Sequence, residues 1–204
     1  MGGYDRPDFW TLKAKKEGYP ARSVYKIEEI IRKFGLLKLS GGKSGPAVLD
    51  IGAAPGSWSL WILRQLKGAG SLTAVDIQDL GIAPADDNFR FFKGSILNEP
   101  IRKNLKDAGP YNLVISDAAP STTGNRLVDQ GRSEELVEAV MGLALEVLAP
   151  GGALIMKIFQ GGEEKRLIAS LKQHFTQARG FKPEACRAES FETYLVATGF
   201  SRSR

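Results

Sequence analysis

The stretch Ala47-Val48-Leu49-Asp50-Ile51-Gly52-Ala53-Ala54-Pro55-Gly56-Ser57-Trp58-Ser59 decides how the chain is read. It opens with a short apolar run, Val48, Leu49 and Ile51, of the kind that forms a buried strand. It breaks into small residues and a proline, then resumes at helical spacing through Leu60, Trp61, Leu63 and Leu66. Strand, glycine turn and helix in that order bring backbone N–H groups and a helix N-terminus close to a small ligand. Gly52 and Gly56 let the backbone approach it without a Cβ in the way. Asp76 ends a second apolar strand, Leu72-Thr73-Ala74-Val75. An acid in that place of an α/β sheet accepts ribose hydroxyls, so the pattern reads as a pocket for an adenosine-type cofactor.

A dinucleotide site wants G-x-G-x-x-G, with a glycine where the backbone meets the pyrophosphate. The order here is Gly-Ala-Ala-Pro-Gly-Ser-Trp, which lacks that spacing and disfavours a nicotinamide-dependent reductase. A glycine turn by itself also arises from plain strand-to-helix geometry. The fuller pattern D-x-G-A-A-P-G-x-W-S resembles the first motif of S-adenosylmethionine methyltransferases, specifically the RrmJ/FtsJ family of RNA ribose 2′-O-methyltransferases.

Composition is that of an ordinary globular chain of 204 residues, enough for one domain with a sizeable core. No apolar run is long enough to span a membrane, and no leader pattern opens the chain, so no membrane partner is expected. The single Cys186 has no disulfide partner, and with the lone His174 it offers no metal set. A reducing, cytoplasmic setting is expected. The net charge of +5 is unevenly placed. Residues 1–43 hold ten Lys and Arg against five Asp and Glu, whereas the remainder holds eighteen of each. A basic N-terminal end suits a polyanion, although a solubilising tail would look the same.

Over residues 1–20, Gly2, Gly3, Pro7, Gly18 and Pro20 predict a poorly ordered start followed by a short basic segment, Lys13, Lys15 and Lys16, interleaved with Tyr4, Phe9, Trp10 and Tyr19. Aromatics beside cations hold single-stranded RNA, and they equally pin an arm to a domain. Val24, Tyr25, Ile27, Ile30 and Ile31 predict a helix from Ala21 to about Phe34. Further strands are expected at Phe89–Phe92, at Tyr111–Asp117, ending in its acid, and at Ala153–Met156, and a final antiparallel pair at Phe181–Arg187 and Thr193–Ala197. Helices are expected at Ile96–Ala108, Ser133–Leu148 and Glu163–Phe175. Asp117 stands at the end of one strand before Ala118-Ala119-Pro120. Lys157 interrupts an otherwise apolar strand at the equivalent edge of the next. A lysine in so apolar a run marks either the strand's exit into solvent or a function.

Lys26 in Tyr-Lys-Ile, Asp117 in Ser-Asp-Ala-Ala-Pro, Lys157 in Met-Lys-Ile-Phe-Gln-Gly and Glu192 in Glu-Thr-Tyr-Leu-Val-Ala-Thr-Gly resemble the Lys-Asp-Lys-Glu tetrad of that family. Lys13 to Tyr19, with Arg22-Ser23-x-Tyr25-Lys26-Ile27, is similar to its approach helix, although Pro20-Ala21 stands where relatives usually carry Arg-Ser. The resemblance runs from about Lys13 to Gly199. It implies an α/β, Rossmann-like methyltransferase fold: a seven-stranded, mostly parallel sheet with an antiparallel last strand and helices on both faces. It implies one domain over 1–204, with an N-terminal arm (1–20), an approach helix (21–35) and a catalytic core (46–199).

The cofactor implied is S-adenosylmethionine, lined by Gly52, Gly56, Trp58, Asp76, Ser95 and Asp117. Ser95 stands where the family usually carries an acid for the adenine amino group, and Trp58 reads equally as core. A ribose 2′-hydroxyl is a poor nucleophile, so it must be held in line with the activated methyl and helped to lose its proton. The resemblance gives that task to Lys157, with Asp117 and Glu192 countering the two lysines. Burial or Lys26 would tune Lys157 downward and the two acids would oppose that, so its charge state stays open. RNA is implied across the adjoining face, held by Lys13, Lys15, Lys16, Arg22 and Arg126. The expected substrate is a uridine of 23S ribosomal RNA, free or in the large ribosomal subunit, and the expected state is a monomer. A tRNA anticodon-loop methyltransferase and a non-catalytic RNA-binding assembly factor are the alternatives.

Overall fold

A computed structural model describes residues 8–38, 44–84, 87–120, 126–159, 163–187 and 190–202, leaving the side chains of 126–131 aside. Seven strands form one sheet: β1 (Ala47–Ile51), β2 (Ser71–Asp76), β3 (Phe89–Lys93), β4 (Tyr111–Ser116), β5 (Leu148–Phe159), β6 (Phe175–Phe181) and β7 (Glu192–Phe200). Their order is β3-β2-β1-β4-β5-β7-β6. The pairs among β1 to β5 are parallel, and β7 runs antiparallel between β5 and β6. This is the expected sheet.

Alternation along the strands divides the core in two, because successive side chains point to opposite faces. Val48, Leu72, Leu113, Ile115, Ile155, Tyr194 and Val196 face one way. There they meet α2 (Val24–Phe34) and α3 (Ser57–Leu66) through Ile27, Ile30, Trp58, Trp61 and Ile62. Leu49, Ile51, Val114, Leu154, Met156, Leu195 and Ala197 face the other way. They meet α4 (Glu99–Ala108), α5 (Arg126–Val147) and α6 (Glu164–Leu171) through Leu105, Leu143, Val147, Leu167 and Leu171. Fully burying one such aliphatic side chain contributes about 1.5–3 kcal/mol, which is why apolar runs bounded by turns suffice to lay out the sheet.

Three expectations need correction. The N-terminal segment contains a helix, α1 (Phe9–Lys16), capped by the Asp8 carboxylate, which accepts the Thr11 N–H at 2.9 Å. An Asp N-cap is a start signal, and the glycines and prolines around it mask it in the sequence. The helix expected at Glu163–Phe175 stops at Leu171, and Phe175 begins β6. The strand expected at Phe181–Arg187 is a loop with Ala185 and Cys186 buried. β6 is an edge strand whose Thr176, Gln177 and Arg179 are exposed. Its buried Phe175 and Ala178 stand three apart, a spacing that mimics a helix. Smaller shifts occur elsewhere: α2 begins at Val24, α4 at Glu99, and α5 reaches back to Arg126.

Candidate active site

The C-terminal ends of β1, β2 and β4 meet where the chain order reverses direction across the sheet, the place where open α/β sheets bind ligands. A cleft of about 610 Å³ opens there. Gly52, Asp76, Ser95 and Asp117 line it, with Ile77 and Leu97 as apolar walls and Arg132 and Glu135 of α5 at its side. The glycine turn is tied to β2: Gly52 and Ala53 both donate their N–H to the Val75 carbonyl, at 2.9 and 3.2 Å. Gly52 has φ +76°, and a Cβ there would come within 2.6 Å of the Ala118 Cα. Only glycine fits that approach.

The Asp76 carboxylate accepts the Ala54 N–H at 2.9 Å on one oxygen and the Gln78 N–H at 2.8 Å on the other. A carboxylate has about four lone-pair sites, so each oxygen keeps capacity for a ligand hydroxyl. Ser95 Oγ accepts the Leu97 N–H at 3.2 Å. Below the turn, Asp50 is fully buried. Its Oδ2 accepts from the Ser59 hydroxyl at 2.6 Å, and its Oδ1 has no hydrogen-bond partner among the described residues. Burial pushes its pKa up to about 7, with the charges of Asp117 and Asp76 adding to the rise.

Gly56 and Trp58 do not line the cleft. Gly56 begins α3 with φ +107°, and a Cβ there would run into the Ile82 side chain at 2.5 Å. Trp58 is 3 % exposed; its indole N–H donates to the Ser23 carbonyl at 2.9 Å and its ring lies 5.9 Å from Tyr194. Its side chain is a core anchor that ties α3 to the start of α2, the second of the two readings the sequence left open.

Register assembles the four ionisable residues. Ser116 pairs with Met156, so Asp117 and Lys157 follow side by side at the ends of β4 and β5. Lys157 pairs with Tyr194 and Phe159 with Glu192 across β5 and β7. Directly opposed residues, and residues two apart on a strand, share a face. Lys157 Nζ donates to the Asp117 carbonyl at 2.5 Å and lies 3.1 Å from its Oδ1. The Tyr194 hydroxyl donates to the same Oδ1 at 2.8 Å. Lys26 comes in from α2 on that face, and its Nζ sits 2.6 Å from Glu192 Oε1. The four side chains are 10–21 % exposed, at the floor of an open site rather than on the surface. Burial alone would raise the Glu192 pKa, but the hydrogen bond and charge of Lys26 prevail and lower it. Cys186 stands close enough to interact with Glu192 and Lys26; burial, with the Glu192 charge, pushes its thiol up to about 12.

The basic residues divide. Lys15 and Lys16 are exposed on α1. Lys13 Nζ lies 4.3 Å from the Tyr25 ring centroid. Arg22 is bound to Asp8 and to the Ala185 carbonyl, so it clamps α1 and the 182–187 loop rather than standing free for RNA. The side chain of Arg126, like Tyr4, lies outside the described residues. Trp10 and Tyr19 pack against the core, as arm-pinning rings would. Sequence reasoning missed Tyr194 as a partner of Asp117; its place two residues after Glu192, on the same strand face, is the signal that finds it.

Residues 19–200 match the family model of FtsJ-like methyltransferases. The chain belongs to that family. A ribosomal RNA large subunit methyltransferase E of Treponema denticola is 48% identical over 197 residues, 97% of this chain and 96% of the relative. One of the same name from Borreliella afzelii is 45% identical over 195 residues, 96% of this chain and 99% of the relative. The crystal structure described as a ribosomal RNA methyltransferase from Plasmodium falciparum superposes with a TM-score of 0.76 at 28% identity, covering 91% of this chain and all of that one. Among FtsJ-like methyltransferases, then, this chain places its two acid–lysine pairs beside a cleft at the sheet's switch point.

Proposed function

We propose that the chain methylates a ribose 2′-hydroxyl in RNA with S-adenosylmethionine as donor, on a uridine of 23S ribosomal RNA. The observation that carries this reading is the Asp117–Lys157 pair standing at the border between the cleft and the Lys26–Glu192 pair. The names of the relatives support the large-subunit substrate.

The cleft suits the donor: its volume lies in the range of small-molecule sites, and it offers a carboxylate, a hydroxyl and apolar walls. Asp76 would take ribose hydroxyls and Ser95 the adenine edge, while the backbone from Gly52 onward passes close beneath. Bound S-adenosylmethionine supplies an activated methyl on a cationic sulfur. Lys157 Nζ, held by the Asp117 carboxylate and carbonyl, orients the substrate's 2′-oxygen, and in its neutral amine form it accepts the hydroxyl's proton as the oxygen bonds to the methyl carbon. Tyr194 fixes Asp117 by donating to the same Oδ1. Lys26 and Glu192 neutralise each other and close that side of the substrate position. Lys15 and Lys16 give RNA phosphates a sequence-independent hold.

The test is transfer of labelled methyl from S-adenosylmethionine to unmodified large ribosomal subunits, free ribosomal RNA and bulk tRNA, with Lys157→Ala in parallel. Alkali-resistant label in the large subunit or its RNA, absent with Lys157→Ala although the donor still binds, is the expected result. Label in tRNA alone moves the enzyme to the anticodon loop. Tight donor binding with no label anywhere points to an assembly factor.

A further inference from the structure

Phe159 extends the face of the sheet that carries the acid–lysine pairs. Ile155, Lys157 and Phe159 follow one another on one face of β5, and burial falls outward along them. Ile155 is fully buried, the Lys157 side chain is 10 % exposed, and Phe159 is 47 % exposed. A strand rises about 3.3 Å per residue, so the backbone of Phe159 lies only about 7 Å beyond that of Lys157. Opposite Phe159 in register is Glu192, and Phe191, immediately before it, is 71 % exposed. Both are large aromatics left in water at the rim of a site floored by charged groups. Neither belongs to the cofactor cleft. A core explanation fails for them, since neither is packed into the two cores.

We infer that Phe159 is a stacking platform for a nucleobase of single-stranded RNA next to the ribose held at Lys157. This rests on the ribose-methylation reading above. The chemistry suits it. A nucleobase presents a π-face to any aromatic ring, whatever its identity, whereas its ribose and phosphate need cations, which Lys26, Lys157 and the α1 lysines provide. A nucleotide of a single-stranded loop carries an unstacked base, and an unstacked base needs a surface to cover it. Phe159 supplies that surface two residues beyond the lysine on the same strand face. It positions the substrate and takes no part in the chemistry.

Phe159→Ala and Phe159→Leu, with Phe159→Trp as the aromatic replacement, separate stacking from mere apolar bulk. On unmodified large subunits, Phe159→Ala and Phe159→Leu are expected to raise KM for RNA at least about tenfold, with kcat within threefold and donor affinity unchanged. Phe159→Trp is expected to restore KM. The added indole of Phe159→Trp should also be quenched by an unstructured oligoribonucleotide, beyond the change seen with the wild type, a readout that needs no turnover. A KM unchanged in Phe159→Ala, rescue by Leu as complete as by Trp, or an indole indifferent to RNA each overturns the platform. Loss of the function reading shows differently: the wild type itself then leaves no label in ribose, while the quenching still reports on the platform.

Discussion

The Lys26 ammonium, on the second helix, and the Glu192 carboxylate, at the first residue of the last strand, lie 2.6 Å apart across 166 residues of chain. Apolar packing seats α2 on that face of the sheet, and this ion pair adds a polar contact between the helix and β7. With side chains only 11 and 14 % exposed, the pair is screened little by solvent, and removing one partner leaves an uncompensated charge. Lys26→Met should therefore lower stability by a few kcal/mol, of the order of 3–5 for a fully buried pair. Urea unfolding at pH 7 checks this, and Lys26→Met/Glu192→Gln should recover much of the loss. A double variant as unstable as the single would show that packing, not charge, is at stake.

Tyr194 donates to the same Asp117 oxygen that faces Lys157. Tyr194→Phe keeps the ring in the core and removes only that donor. Methyl transfer is expected to fall about ten- to a hundredfold in kcat, in line with about 1.5–3 kcal/mol for a hydrogen bond to a charged group. Donor binding measured by calorimetry should hardly move, because the hydroxyl does not reach the cleft.

Asp50 gives the fold a pH dependence of unusual sign. Its ordinary carboxyl value of 3.8 rises to about 7 on folding, chiefly through burial. Between those two values the unfolded chain is ionised while the folded one still holds the proton. Stability therefore falls as pH rises from about 4 to 7, and the loss is complete above it. Asp50→Asn cannot ionise, so its stability should lack that decline and exceed the wild type's above pH 7. Denaturant midpoints at pH 4.5, 6 and 8 test it; parallel curves for the two proteins would refute the assignment.

Cys186 is the one cysteine of the chain and is buried beside Glu192, with its thiol pushed up to about 12. At pH 8 it is almost entirely protonated, and the thiolate is the nucleophile. Iodoacetamide should modify the folded protein orders of magnitude more slowly than the urea-unfolded one. Mass spectrometry of the intact chain reads this directly, and rapid labelling of the folded state would place Cys186 in a different environment.

The sheet, Asp117 and Lys157 were legible because they rest on local signals, whereas Lys26 and Glu192 stood out through the family resemblance. Apolar runs ending in Asp76, Asp117 and Lys157 announce strands with functional ends, and parallel strands bring those ends to one edge. Which acid meets which lysine was not legible, because that depends on registers such as Ser116 with Met156 and Phe159 with Glu192. The side chain of Trp58 was left open for a related reason. Its position directly after the glycine turn suits a cofactor wall and a core anchor equally, and only the distant Ser23 carbonyl decides between them. Arg22 reads as a free cation until Asp8 and Ala185 are seen to hold it. At β6 the periodicity itself misled, since an edge strand hides few of its side chains.

The contact between Gly52 and Ala118 has a consequence for how such an enzyme drifts over generations. Ala118 follows Asp117, so the turn under the cleft and the acid beside Lys157 lean on a single backbone-to-backbone abutment with no room for one methyl group. A lineage cannot retune the donor turn by ordinary substitution at Gly52 without shoving the acid out of line. Substitutions that leave this abutment alone are the ones through which the donor turn can be retuned with the acid still in line.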